Sequence, residues 1–214
     1  MLINTLNRYK LTIKKVFIII SLLFFIPIVA QKQKATLYFK DGTSLKGLAK
    51  FTIFGNEIKF RKEKGSERII YDSQKIDKIL IRKNDRDVMY QYKIIKNKNN
   101  PILLELIEAG KVTLYRDLKH RYSQGVPIAD ARGNWSSNPS GGTYYTISNY
   151  YVSKDNEDFV FHLGSKGSFF SKNFKKAASN YFKDCSVLVD KIQNKKFRKR
   201  DIVEIVEFYN ENCN

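Results

Sequence analysis

The chain has 214 residues, a formal net charge of +18 and only two histidines and two cysteines. That length accommodates one domain with a hydrophobic core, or such a domain plus a helical appendage. Two histidines without a Cys-x-x-Cys pair give no reason to expect a metal site. The hydrolase elbow, phosphate loop, dinucleotide fingerprint and His-Glu-x-x-His signatures are also absent from the sequence, so no cofactor is expected.

Residues 16–30 read VFIIISLLFFIPIVA, preceded by Arg8, Lys10, Lys14 and Lys15 and followed by the polar QKQK. A basic leader, a short apolar run and a small residue before a polar start are the parts of a secretory signal peptide. The run is shorter than the roughly 18–20 residues a bilayer-crossing helix needs, and Pro27 interrupts it near its end. Cleavage between Ala30 and Gln31 is therefore expected, in preference to a retained anchor. The mature chain would then reside in the periplasm, on the outer-membrane surface or outside the cell. Removing the four basic residues, with no acidic residue among the first thirty, leaves a charge of about +14. A surplus of that size points to an anionic partner. Heavy use of Lys, Asn, Ile and Phe is also what A·T-rich codons produce. For an exported chain the expected partner is anionic lipid or another envelope polyanion, and no nucleic acid is expected.

Residues 31–165 read as an antiparallel β meander forming a sheet, a barrel or a small sandwich. Residues 35–40 (ATLYFK) meet Asp41-Gly42, a hairpin turn in which both central residues are expected at positive φ. The returning strand is 44–50. Residues 51–54 turn at Gly55-Asn56 into 57–61, and Gly65-Ser66 leads to 67–71. Asp72-Ser73 is expected to cap one helical turn before a strand at 78–82. The polar KNDRD precedes a strand at 88–95. A last pair, 102–107 and 112–115, is joined through Ala109-Gly110-Lys111.

Residues 120–142 lack periodicity and are rich in turn formers, which marks a functional or a disordered loop. The loop carries the only tryptophan, Trp135, as a ligand-stacking residue or, more simply, an anchor to the sheet. Strands resume at 143–152 and 159–163. Tyr144, Tyr145, Tyr150 and Tyr151 suit a half-buried sheet, so packing is preferred over an aromatic platform.

The period changes after residue 166. Phe170, Phe174, Ala177, Ala178 and Tyr181 recur at helical steps. Asp184 is placed to cap a second helix whose inner side is Cys185, Leu188 and Ile192. Asp201, with Glu204 three residues on, is placed to cap a third, with Ile202, Ile205, Val206 and Tyr209 inward. Cys213 continues that stripe and Cys185 begins the preceding one. An antiparallel helix hairpin around 193–200 brings the two cysteines together, and an exported chain permits the disulfide. The fold class is thus α+β, with a disulfide-tied helical segment at 166–214 packed on the β domain.

The Asp41-Gly42 hairpin, the strand entry from Gly110 through Tyr115 and the ending Asp184-Cys185, Tyr209-Asn210 and Cys213 resemble an uncharacterised family of small exported proteins of low-G+C Gram-negative bacteria. The resemblance covers most of the mature chain and is weakest over 120–142. It implies location and architecture, with no known activity.

Chemistry is sparse. His120 and His162 are the candidate general bases, with a carboxylate such as Asp117 or Asp130. Ordinary surface or sheet residues are the preferred reading of both. The basic run Lys191, Lys195, Lys196, Arg198, Lys199 and Arg200, with Lys172, Lys175 and Lys176 on the first helix, is the main interaction signal. It would concentrate near one helix-hairpin tip and attract lipid phosphate, although an ordinary solvated polar face is the preferred reading of the run. The leading expectation is a non-enzymatic binding or structural protein; the alternative is a periplasmic hydrolase with its site near 120–142. An outer-membrane barrel is disfavoured by the charged helical ending.

Overall fold

Alternating apolar and polar residues between short turns give ten strands: β1 (Gln33–Phe39), β2 (Ser44–Phe51), β3 (Ile58–Arg61), β4 (Ile69–Tyr71), β5 (Ile76–Lys83), β6 (Arg86–Ile95), β7 (Pro101–Glu108), β8 (Val112–Ser123), β9 (Thr143–Lys154) and β10 (Phe159–Lys166). Three helices follow: α1 (Phe174–Tyr181), α2 (Ser186–Gln193) and α3 (Ile202–Asn212). The computed structural model describes residues 32–52, 56–123, 142–155, 157–167 and 173–213. The 16–30 segment, the Ala30–Gln31 junction, Asp130, Trp135, Phe170 and Lys172 lie outside the described residues. Among the described residues no helix is long and apolar enough to cross a membrane.

The strands form one sheet in the order β10-β9-β8-β7-β6-β5-β1-β2-β3-β4, and every neighbouring pair in that order is antiparallel. A further, parallel pairing joins β10 to β6 through Phe159↔Ile94 and Val160↔Ile95. That pairing closes β6 to β10 into a five-stranded barrel. Each barrel strand sends one buried residue inward: Ile95, Leu104, Tyr115, Tyr151 and Val160. Fully burying an aliphatic side chain such as Ile95, Leu104 or Val160 contributes about 1.5–3 kcal/mol, and the rings of Tyr115 and Tyr151 add to the closure.

Strand alternation places the other two cores on the opposite face of the same sheet. In β1 to β5, Leu37, Ala49, Ile58, Phe60, Ile79 and Ile81 cluster with Tyr90 and Tyr92 of β6. At the other end, Val112, Leu114, Tyr150, Val152 and Leu163 form the floor on which the helices pack. The face that lines the barrel lumen in β6 to β10 therefore turns outward in β1 to β5.

Several expectations need correction. Only Gly42 of the Asp41-Gly42 turn has positive φ, at 85°. The loop has three residues: Phe39 N donates to Thr43 O at 2.9 Å and Gly42 N donates to Phe39 O at 3.1 Å. Asp41 instead accepts from Thr43 N at 2.9 Å and Thr43 Oγ1 at 2.6 Å. The two-residue turn with positive φ at both positions is Asn84-Asp85, between β5 and β6. Asp72 caps a single turn as expected: its carboxylate accepts from Gln74 N at 2.9 Å, Ile76 N donates to Asp72 O at 3.0 Å in one i→i+4 bond, and β5 starts at Ile76.

His120 does not begin an irregular loop. β8 runs to Ser123 and pairs with β9 from Val112↔Lys154 to Ser123↔Thr143. Beyond Arg116 on β8 and before Ser148 on β9, neither strand has a partner on its other side among the described residues. A two-stranded ribbon results. Both of its faces meet solvent, so it lacks the apolar alternation by which strands are found. Tyr150 and Tyr151 are buried as packing predicts, but Tyr144 is 82% exposed and Tyr145 39%, on the ribbon.

The helices bury the expected stripes: Phe174 and Ala178 on α1, Leu188 and Ile192 on α2, and Ile202, Ile205, Val206 and Tyr209 on α3. Their caps differ from expectation. Asn173 caps α1, accepting from Lys176 N. Cys185, not Asp184, precedes α2 and makes no side-chain cap bond. The Asp201 carboxylate accepts from Arg198 N at 2.9 Å, closing the preceding turn at Lys199–Asp201 instead of capping α3.

Candidate functional site

The cysteines meet as the helix stripes require. Cys185 and Cys213 form a disulfide with a Cα–Cα distance of 5.6 Å, and no free cysteine remains among the described residues. Around it the motif residues form a lock. The Asn210 side chain pairs with β8 as another strand would: Val112 N donates to Oδ1 at 2.8 Å and Nδ2 donates to Val112 O at 2.9 Å. A Cβ at Gly110 would lie 2.5 Å from Asn210 Nδ2, so only glycine permits this approach. Lys111 Nζ donates to Cys213 O at 2.5 Å.

Lys154, at the end of β9, completes the lock. Its Nζ lies 2.7 Å from Asp184 Oδ2, which also accepts from Tyr209 OH at 2.6 Å. Burial opposes ionisation of Asp184, but the bonds from Lys154 and Tyr209 outweigh it and hold the carboxyl below its ordinary range. The Lys154 backbone N donates to Glu157 Oε2, which accepts from Tyr181 OH as well. Burial and that bond push the Tyr181 hydroxyl well above its usual value. Gly110, Lys111, Asp184, Cys185, Tyr209, Asn210 and Cys213 thus join helices to sheet.

The basic run lies between α2 and α3. Lys191 is drawn over the Phe197 and Phe208 rings at 5.8 and 5.0 Å from their centroids. Arg200 Nε sits 3.4 Å from Asp201 Oδ1, and the Lys199 stem lies beside Gly164 of β10. Lys195, Lys196 and Arg198 are exposed and form no salt bridge among the described residues. Four of the six residues, Arg200 included, therefore face solvent, and Lys191 and Lys199 are half-buried against the fold.

A larger basic surface lies on the outward face of β1, β2, β3 and β5. The registers Lys34↔Leu48↔Arg61, Thr36↔Lys46, Lys50↔Lys59 and Tyr38↔Lys78 place these side chains on one face, with Arg82 beside them. Among the paired strand positions of that face the one carboxylate is Asp87, 3.5 Å from Arg82 Nη1. Lys34, Lys46, Lys50, Lys59, Arg61 and Lys78 form no salt bridge among the described residues. Sequence reasoning passed over this surface because it looked for runs. Cations an even number of residues apart, as in Lys46-x-x-x-Lys50 or Lys59-x-Arg61, are the strand signal.

The histidines occupy opposite faces. His120 shares its face with Leu114 and Arg116, in a groove of about 340 Å³ with Glu105 and Tyr90. Its Nδ1 lies 3.0 Å from Thr146 Oγ1, while Glu105 is held by Arg116 at 2.9 Å. Asp117 projects to the other face. His162 faces the lumen beside Tyr151, ring centroids 5.2 Å apart. A bulge between His162 and Gly164 brings Ser165 to the same face. Ser165 Oγ donates to Asn149 Oδ1 at 2.7 Å and lies 3.0 Å from His162 Nε2. The Ser165 hydroxyl proton is thus directed to Asn149 and away from the His162 ring.

The barrel seam opens where β6 ends. Lys96 N donates to Val160 O at 2.9 Å, and the chain then turns through Asn97 at φ 67°. The gap leads to a recess of about 400 Å³ lined by Lys96, Lys98, Lys119, Asn149, Tyr151 and His162, with Ile95, Phe161 and Ala177 as apolar wall. Burial first, and the Asp117 charge second, push the Tyr151 hydroxyl up to about 12. Among the described residues no group of three metal-ligating side chains occurs. Compared with known proteins, the chain matches no family model, no curated protein and no solved structure.

Proposed function

We propose that this is an exported protein of the cell envelope or its surroundings that acts by binding, docking on an anionic lipid surface. The observation that carries the reading is the outward face of β1, β2, β3 and β5, whose seven lysines and arginines outnumber the carboxylates beside them, Asp85 and Asp87 at Arg82 and Asp77 next to Lys78. Each such cation near an anionic bilayer contributes about 1 kcal/mol. Lys195, Lys196 and Arg198 add a second contact point. The disulfide supports export, since such bonds persist in oxidising compartments. The hydrolase alternative has less support: His120 and His162 lie on opposite faces, with described hydrogen bonds to the hydroxyls of Thr146 and Ser165.

Co-sedimentation of the purified protein with vesicles tests the proposal. Binding to vesicles containing phosphatidylglycerol, absent with phosphatidylcholine alone and weakened by salt as screening requires, is the expected result. Equal recovery with both at low salt would remove it.

A further inference from the structure

We infer that the recess at the open barrel seam is a binding site for a small organic anion, a phosphate monoester or carboxylate with an apolar body. It is separate from the outward sheet face and from the α2–α3 turn. Two segments distant in sequence supply its three cations: Lys96 and Lys98 from the turn after β6, and Lys119 from β8. Like charges gathered around one recess repel one another, and the Coulomb cost grows where low-dielectric walls exclude water. Among the described residues the one salt bridge to these lysines is from Asp117, 3.4 Å from Lys119 Nζ, which leaves the three cations about two charges positive.

Neutral donors are already oriented there. The Asn149 side chain is fixed between Ser165 Oγ at 2.7 Å and Asp117 Oδ2 at 3.5 Å. Ser165 in turn fixes His162, and Tyr151 stays protonated as a hydroxyl donor at neutral pH. An anionic oxygen among the lysines would gain charge-assisted bonds, drawing Lys96 Nζ from over the Phe159 ring and Lys119 Nζ from Asp117. The remaining wall is apolar: Ile95, Phe161, Ala177 and the Tyr151 ring. A volume of about 400 Å³ falls within the range of small-molecule sites, and barrel mouths are among their usual locations.

The same anionic chemistry occurs in a soluble metabolite and in a lipid headgroup. Phenyl phosphate and a short-chain phosphatidate below its micellar concentration are the two probes, with phenol and inorganic phosphate as controls. Each is titrated into the full-length protein at low salt and followed by amide chemical shifts. Saturable binding of either anionic probe is expected, with shifts confined to Lys96, Asn97, Lys98, Lys119, Asn149 and His162. Phenol should not saturate, and inorganic phosphate should bind at least fivefold more weakly. Lys98→Gln and, separately, Lys119→Gln should each weaken the better probe about tenfold while leaving the unfolding midpoint within 2 °C. The tighter probe identifies the source. The assignment is overturned if neither anionic probe saturates, if shifts spread evenly over surface lysines, or if both variants bind like the parent. These outcomes do not depend on vesicle binding through the sheet face.

Discussion

Replacing both Cys185 and Cys213 with alanine should lower stability by an amount set mainly by the unfolded chain. The bond spans a sequence separation of 28. Closing a loop of that length removes chain entropy equivalent to roughly 3.6 kcal/mol at 25 °C. Both cysteines are buried in the helix core, so truncation to alanine adds about 1 kcal/mol of lost packing. For a chain of this size each kcal/mol moves the midpoint by about 2–4 °C, which gives a drop of roughly 9–18 °C. The fold should survive, because Phe182, Leu188, Ile192, Ile202, Ile205 and Val206 still fill that core. Urea and thermal unfolding, followed by far-UV dichroism, measure both points. A double variant within 1 kcal/mol of the parent, with an unchanged denaturant slope, would refute the reasoning.

Asn210→Ala leaves the buried Val112 N–H and C=O without their side-chain partners, and should cost about 2–3 kcal/mol in urea unfolding. A loss under 0.5 kcal/mol would show that the amide pairing is dispensable. Asp184, with its folded pKa below the ordinary value of 3.8, contributes stability that is present above that value and lost as pH falls through the lowered one. Lys154→Met should therefore be less stable than the parent at pH 7, with the gap closing below about pH 4; a gap constant down to pH 2 would contradict this. Mass spectrometry of protein recovered from an exporting cell should find an N-terminus at Gln31, whereas a chain beginning at Met1 would count against export.

The helix stripes were readable because each buried residue repeats at helical steps on its own segment, so the meeting of Cys185 with Cys213 followed from local pattern. The meander was readable from the short apolar strand segments between turn formers, as in β1 and β5. Closure of the barrel was not, since the Val160↔Ile95 pairing joins strands far apart in sequence and leaves no mark in either. The β8–β9 ribbon escaped notice because Asp117, Lys119 and Arg121 alternate with Leu118, His120 and Tyr122 without an apolar side. Asp184 looked like a cap, and the competing partners Lys154 and Tyr209 took its carboxylate instead. The outward cationic face was hidden for a different reason: its members are scattered between Lys34 and Arg82 and converge only through strand register.

That face is where the account is most exposed to test. Lys46→Glu, Lys59→Glu and Lys78→Glu together reverse three exposed or half-exposed charges whose side chains carry no core packing. The measurement is co-sedimentation of this triple variant with phosphatidylglycerol vesicles at low salt, beside a parent-like unfolding midpoint. The account predicts at least a hundredfold loss of binding, from roughly 1 kcal/mol per cation removed and as much again per carboxylate added. Binding equal to that of the parent would contradict it.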